Sequence, residues 1–295
     1  MRVRFRFWPA LAFTAVVFAS VGTRAQKGPA LPDVLQGAAD YLVKYAQQVS
    51  VIEAEEQYNQ HDTSSGRLSG SRRLTSDFVL AGLEDGAVAA FRDTFEMDGS
   101  SLRERQGRLL GFFRTRPDSS ALEQARALSA ESVRHYISPN LRVLDEPTLA
   151  LQFLRKQNQE RLTFKLDGVR TMDGSQVAIL RFSEQGPERV IRSPENVPVT
   201  GRLWIETATG AVRQTELSLD GKNFNLRAAV KYAVDRKLGF WLPVEMVLQA
   251  DVRGAGSGGI SNMGAGGNLG VRQSFEARVT YSKFRQVPVQ PAEIR

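Results

Sequence analysis

The sequence predicts an α+β protein built on a mostly antiparallel sheet with helices packed against it. Three observations predict it. Four long segments of the final third alternate apolar and polar residues with period two, as strands do when one face is buried and one is wet. Turn dipeptides separate those segments at intervals too short for crossover helices, so neighbouring strands run antiparallel. Earlier stretches carry apolar residues at three- and four-residue steps, the helical spacing.

Residues 1–25 open with Arg2, Arg4 and Arg6, continue without charge from Phe7 to Thr23, and end on Arg24-Ala25. A basic start, an apolar middle and a small final residue make a secretory signal peptide, cut near Ala25. The uncharged run is interrupted by Pro9, Thr14 and Ser20, whereas a spanning helix needs roughly 20 strongly apolar residues. The product is expected to be extracytoplasmic, either periplasmic or secreted, with 26–295 as a single mature α+β domain.

Pro32 to Val49 reads as an amphipathic helix, with Val34, Leu35, Ala38, Leu42, Val43, Ala46 and Val49 on its apolar side. Pro32 suits a first turn and Asp33 the positive end of the helix dipole. Glu53, Glu55 and Glu56 follow and read as a solvated face, Glu53 and Glu55 sharing one side of a strand. Leu74, Phe78 and Leu80 mark the next strand. Phe91, Phe95 and Met97 share a parity in another, with Glu84-Asp85-Gly86 as the turn before it and Asp98-Gly99 after it. A helical insert is expected over about 118–158. Its first helix runs from Asp118 or Ser119 to Tyr136, and its second from Thr148 to Gln157 after Pro147.

From Leu162 to Phe284 the pattern gives a meander of six or seven strands. Leu162, Phe164 and Leu166 alternate with polar residues. So do Phe224 through Val234, Phe240 through Leu248, and Val271 through Tyr281. Asp173-Gly174, Thr209-Gly210 and Asp220-Gly221 supply turns. Residues 254–270 hold eight glycines and read as a flexible loop, since no Gly-Lys-Ser/Thr ending of a P-loop follows.

Composition narrows the chemistry. The formal charge of +7 includes the four leader arginines; without them 35 basic side chains face 32 acidic ones, too even a balance to hold nucleic acid. The chain has no cysteine, which removes disulfides, thiol nucleophiles, thiolate metal sites and a lipid-modified cysteine. The two histidines are His61, in a polar turn-like stretch, and His135, near a helix end. No His-Glu-x-x-His or Gly-x-Ser-x-Gly motif occurs. No catalytic residue, metal or cofactor is therefore assigned, and no enzymatic activity is expected; a hydrolase using His61 or His135 is a further alternative.

Phe78, Phe91, Phe95, Trp204, Phe224, Tyr232, Trp241 and Phe275 all fall on predicted strands. They serve a sheet core first. A curved sheet with such residues on its concave face also accommodates a lipid chain, which makes these eight the candidate ligand-binding residues. Trp204 and Trp241 fall out of phase with Leu203/Ile205 and Phe240/Leu242, and so point to the opposite face.

The passage Gly201-Arg202-Leu203-Trp204-Ile205-Glu206-Thr207-Ala208-Thr209-Gly210-Ala211-Val212 resembles a strand–turn–strand stretch of the periplasmic outer-membrane lipoprotein carrier (Lol-type) superfamily, as an exported bacterial member. That superfamily also includes envelope-stress sensor domains. Phe240-Trp241-Leu242-Pro243 and Tyr281-Ser282-Lys283-Phe284 are similar in style. The resemblance covers about Leu162 to Phe284 and the leading helix; the region from Arg67 to Asn158 is longer than in a compact carrier. It implies an unclosed β-barrel wrapped over helices, with an apolar cavity for acyl chains. The expected function is non-enzymatic binding of an apolar ligand, a lipid or an acylated protein, in the hollow of a curved sheet. The alternative is a cell-envelope interaction or stress-sensor module with a packed core. No nucleic-acid partner is expected, peripheral envelope contact is compatible, and the sequence leaves the oligomeric state open.

Overall fold

The computed structural model describes residues 28–64, 67–83, 85–114, 118–137, 143–253 and 272–289. The leader and the Gly-rich segment 254–270 lie outside the described residues. Among the described residues there are eleven strands: β1 Val51–Ser64, β2 Arg67–Gly82, β3 Val88–Met97, β4 Ser100–Ser101, β5 Leu162–Met172, β6 Ser175–Glu184, β7 Thr200–Glu206, β8 Val212–Asp220, β9 Phe224–Val234, β10 Trp241–Arg253 and β11 Arg272–Gln286. They form one antiparallel sheet in the order β4-β3-β2-β1-β11-β10-β9-β8-β7-β6-β5. Each strand pairs with its sequence neighbour, except that β4 does not pair with β5 and β1 pairs with β11. That pairing joins the first hairpins to the meander after Leu162, where six or seven strands are expected and seven, β5–β11, are described. The sheet stays unclosed, with β4 and β5 as its two edges.

Helix α1 spans Leu31–Val49 and ends where Ser50 takes φ 41°. Val34, Ala38, Leu42, Ala46 and Val49 are buried as their spacing predicts, together with Tyr45, while Val43 is 52 % exposed. The helix touches both β2 and β5, which stand eight places apart in the strand order. In a flat sheet that separation is roughly 38 Å, whereas the whole helix is about 28 Å long. The sheet therefore curls around α1. Two glycines permit the close approach. A Cβ on Gly82 would meet the Ala46 carbonyl oxygen at 1.9 Å, and one on Gly210 would meet the Gly37 carbonyl oxygen at 2.1 Å.

Helices α2 (Arg108–Gly111) and α3 (Ser119–Ser132) lie against the other face at the β2–β3 end, where Val51, Val79, Ala81 and Phe91 pack with Leu109, Phe113, Ala125 and Leu128. Asp118 caps α3 by accepting from Ala121 N at 2.8 Å. The serines of α3 shield the β3 edge: Ser129 Oγ accepts from Arg92 N at 3.0 Å and Ser132 Oγ from Thr94 N at 2.9 Å. An edge so covered offers fewer free groups to another strand.

Three expectations change. The helix expected from Thr148 to Gln157 is a 3₁₀ helix, Leu149–Leu154, and a separate turn of helix, α4, Lys156–Gln159. Arg155 breaks them apart with ψ 133°. Phe91, Phe95 and Met97 do not share a face, because the β2–β3 register shifts at Thr75/Ser76, where Thr94 and Glu96 face adjacent partners. Phe95 is the extra residue of that bulge, which reverses the alternation on either side. The stretch around His61 is not a turn but part of β1.

Candidate ligand-binding face

Strand register builds the concave face row by row. One row runs Gln60, Ala277, Leu248, Ala228, Leu217, Gly201, Phe182 and Phe164, crossing from β1 to β5. The next toward the strand ends runs Asp62, Phe275, Ala250, Leu226 and Leu219. From β11 onward these period-two positions form one apolar surface, and at β1 the rows end on buried Gln60 and Asp62. Gly201 is needed in the first row, since a Cβ there would press on the Phe182 ring at 2.7 Å.

The eight candidate residues divide. Phe78, Phe224, Tyr232 and Phe275 are buried in the concave-face core. Phe78 packs on Tyr281 with ring centroids 4.7 Å apart, and Tyr232 donates its hydroxyl to the Pro147 carbonyl. Trp241, expected on the opposite face, is instead half-buried at the rim of the same core, with the Arg213 guanidinium 4.3 Å above its ring; the β9–β10 register shift between Pro243 and Glu245 sets it on the side of Tyr232. Arg213 is held in turn by Asp173 at 2.7 Å and Glu206 at 3.4 Å. Trp204 is half-buried on the outer face, in a row with Ile179 and Gln214. Phe91 belongs to the opposite-face cluster, stacked near Phe113 at 5.4 Å. Phe95 sits half-buried at the bulge, under the Arg105 guanidinium at 4.7 Å.

Among the described residues α1 and the segment Leu144–Leu154 make up most of the cover of the concave face, joined by Tyr136 edge-on to Tyr58 and by Val190, Ile191, Val197 and Val199 between β6 and β7. Phe153 stacks on Phe182 at 4.6 Å, Tyr41 on Tyr45 at 5.6 Å, and Tyr45 meets Phe240 edge-on at 6.5 Å. Toward the β5 edge the cover thins. Leu31, Leu35, Leu149, Phe164, Leu166 and Val169 pack against the core yet are only partly buried.

The charged centre beneath this cover was not expected. Glu56, read as solvent-facing, is 0 % exposed. Its carboxylate accepts from Arg92 Nε at 3.0 and 3.2 Å and from Nη2 at 3.0 Å, and Arg92 Nη1 reaches Asp145 Oδ2 at 3.0 Å and its carbonyl at 3.1 Å. Burial alone pulls the Arg92 guanidinium toward neutrality, but Asp145 and Glu56 overcome it and hold the charge firmly. Thr148 Oγ1 donates to the Val88 carbonyl at 3.1 Å. Arg92, Tyr232 and Thr148 thus tie the 145–148 stretch to the sheet. The sequence signal was the parity of Glu56 with Ile52, Ala54 and Tyr58, all buried on the same face.

Glu53 and Glu55 do share a face, the outer one, and are also buried. Register sets Glu55, Asp77 and Asp93 side by side. Arg105 bonds both Asp77 (2.6 Å) and Glu55 (3.0 Å), Arg103 and Arg108 grip Asp93, Lys283 grips Glu55, and Arg285 grips Glu53. The spacing Arg103, Arg105, Arg108 thereby straps the chain after β4 onto three neighbouring carboxylates. Like charges so placed require this compensation.

His61 and His135 line separate concavities. His61 lies with Gln249, Asp251, Ser274 and Glu276 in an outer-face depression of 440 Å³. No described helix is long and apolar enough to cross a membrane.

No family model and no curated protein matches the chain. Among solved structures it is similar to a putative outer membrane lipoprotein-sorting protein domain from Vibrio parahaemolyticus, at 10 % identity and TM-score 0.41 over 87 % of this chain and 93 % of that one. A DUF1329 family protein from Desulfovibrio piger matches at 11 % identity and TM-score 0.34, over 86 % and 93 %. A LolA superfamily protein from Nitrosomonas europaea matches at 12 % and 0.32, over 85 % and 94 %. These likenesses are weak, and nothing about ligand or activity follows from them.

Proposed function

We propose that this protein is a non-enzymatic, extracytoplasmic binder of an apolar ligand, a lipid or the acylated end of a protein, held against the concave face of its sheet. One observation carries the reading. An apolar surface crossing from β11 to β5 is covered chiefly by α1 and Leu144–Leu154, the second tied down by a few polar bonds, and the cover thins toward the β5 edge. In this structure the protein's own side chains occupy the hollow, so an acyl chain takes the place of part of the cover. Apolar area then exchanges for apolar area at about 25 cal/mol per Å² on each side, while lifting Leu144–Leu154 also breaks the buried Arg92–Asp145 pair, a cost that the bound ligand must offset. The buried hydroxyls of Tyr45 and Tyr281 and the side-chain nitrogen of Gln60 have no partner among the described residues. A ligand carrying ester or amide oxygens supplies acceptors that the cover does not. Export is supported by the leader-like pattern of 1–25.

Brominated acyl chains test the reading, because bromine quenches tryptophan only at contact. In Trp204→Phe, which keeps Trp241 at the rim, a brominated phospholipid is expected to quench strongly. In Trp241→Phe, which keeps Trp204 on the outer face, it is expected to quench weakly. Equal quenching, or none, counts against binding at the concave face.

The tight packing of α1 and Leu144–Leu154 on the sheet favours a second reading, a cell-envelope interaction or stress-sensor module whose core never opens. Its docking surface would be the β5 edge. Recovery of a protein partner without lipid, lost when β5 is altered by Thr163→Pro, distinguishes it.

A further inference from the structure

A concavity of 260 Å³ opens beside the β3 edge, away from the concave face. Its lining comes from three parts of the chain: Asp93 of β3, Arg103 and Arg108 around α2, and Glu131, Arg134 and His135 at the end of α3. Three guanidinium groups meet two carboxylates there. Asp93 is buried and already clamped, by Arg103 and by Arg108 Nε and Nη2 at 3.1 and 2.7 Å. Glu131 is half-exposed and stands 3.5 Å from Arg108 and 3.9 Å from Arg134, longer than a charge-assisted bond. One positive charge is therefore in excess among these side chains, carried by the guanidinium groups and not by His135, whose protonation burial and the nearby Arg134 and Arg72 disfavour.

Several donors are unspent. Arg103 Nε is buried without a partner among the described residues. Arg134 uses Nε on the Glu131 carbonyl at 2.9 Å, which among the described residues leaves its two Nη groups only the distant Glu131 carboxylate. A helix C-terminus ordinarily repels anions through its bare carbonyls. Here two of them are covered, Glu131 O by Arg134 and His135 O by Arg72 Nη1 at 2.7 Å.

We propose that this concavity binds a phosphate group, gripped by Arg103, Arg108 and Arg134 with His135 at its rim, the phosphate being that of a lipid headgroup or a free inorganic phosphate. Planar guanidinium forks match phosphate oxygens two at a time, which a scatter of surface lysines does not. The site is independent of the apolar face.

The test titrates the purified protein with inorganic phosphate at constant ionic strength, chloride serving as control, and floats it with phosphatidylcholine vesicles with or without phosphatidic acid. Arg134→Ala and His135→Ala lie outside the Asp93 clamp, and a thermal melt without phosphate checks that each keeps its fold. Arg278→Ala, on the outer face beside Glu245, is the control variant. Saturable phosphate binding is expected, weakened about ten-fold or more by Arg134→Ala and unchanged by Arg278→Ala. Phosphate binding without flotation assigns the free ion; flotation only with phosphatidic acid assigns the headgroup. The proposal is overturned if neither probe binds, or if binding survives both Arg134→Ala and His135→Ala unchanged, or if Arg278→Ala weakens it as much.

Discussion

At the scale of single residues, Arg92 is the side chain on which most depends. It neutralises Glu56 and ties Asp145 to the sheet, all three being buried. Removing one partner of a buried ionic group leaves charge without compensation, at a cost of about 3–5 kcal/mol, whereas replacing the whole group by apolar side chains of similar volume is often close to neutral. Arg92→Ala is accordingly expected to lower urea-unfolding stability by about that amount, and Glu56→Leu/Arg92→Met/Asp145→Leu to recover most of it. A loss below about 1 kcal/mol for Arg92→Ala would mean that the group is solvated. Glu55 gives the pH dependence. Burial raises its pKa, but the bonds from Lys283 and Arg105 outweigh that and hold it below its ordinary value. A carboxyl depressed in the folded state stabilises at pH values above its unfolded pKa, and the contribution is lost as pH falls through the folded one. Glu55→Gln should thus flatten the acid side of the stability profile below about pH 4.5; an unchanged acid limb would show that Lys283 and Arg105 do not engage it in solution.

At the scale of elements, what could be read in advance depended on unbroken periodicity. The α1 stripe is regular, and so are the stretches of the meander between its register shifts at Leu166/Gly168, Trp204/Ile205 and Pro243/Glu245; there the buried residues follow the pattern. Bulges are where the reading failed. Phe95 shifts the parity of β3, and Val244 is skipped between Pro243 and Glu245 in the β9–β10 pairing. A single inserted residue leaves no mark in composition yet turns every later side chain over. Glu56 misled for a different reason: a carboxylate normally marks a wet position, and only Arg92, 36 residues away, makes it a buried one. Candidate residues on regular strands, such as Phe224 and Phe275, lie on the concave face, whereas Phe91 lies across the sheet because a neighbouring pair of helices covers that side. Element packing also predicts the effect of Gly82→Ala. The added methyl would lie 1.9 Å from the Ala46 carbonyl oxygen, so α1 must lift from β2. Overpacking of this kind costs about 1–3 kcal/mol, read as a lowered urea midpoint with little change in slope; a midpoint within error of the native protein would place α1 farther from β2.

At the scale of the whole molecule, β1 and β11 pair although they lie near opposite ends of the described chain. Their ladder unites the β1–β4 hairpins and the β5–β11 meander into one curled sheet, and its long loop closure is the slow kind of contact to form. The result is a surface with an apolar inner side, a removable cover and an edge at β5 where that cover thins. A packed protein of this shape needs no ligand to fold, but it exposes a large apolar area when the Leu144–Leu154 segment lifts, and that area is what an acyl chain would cover. The most direct test is native mass spectrometry of the protein purified without detergent stripping and then offered phospholipid. The account predicts a population heavier by one lipid, retained at low collision energy and diminished when bulky side chains at Ala228 and Ala250 fill the concave rows. The bare polypeptide mass alone, before and after exposure to lipid, would contradict it.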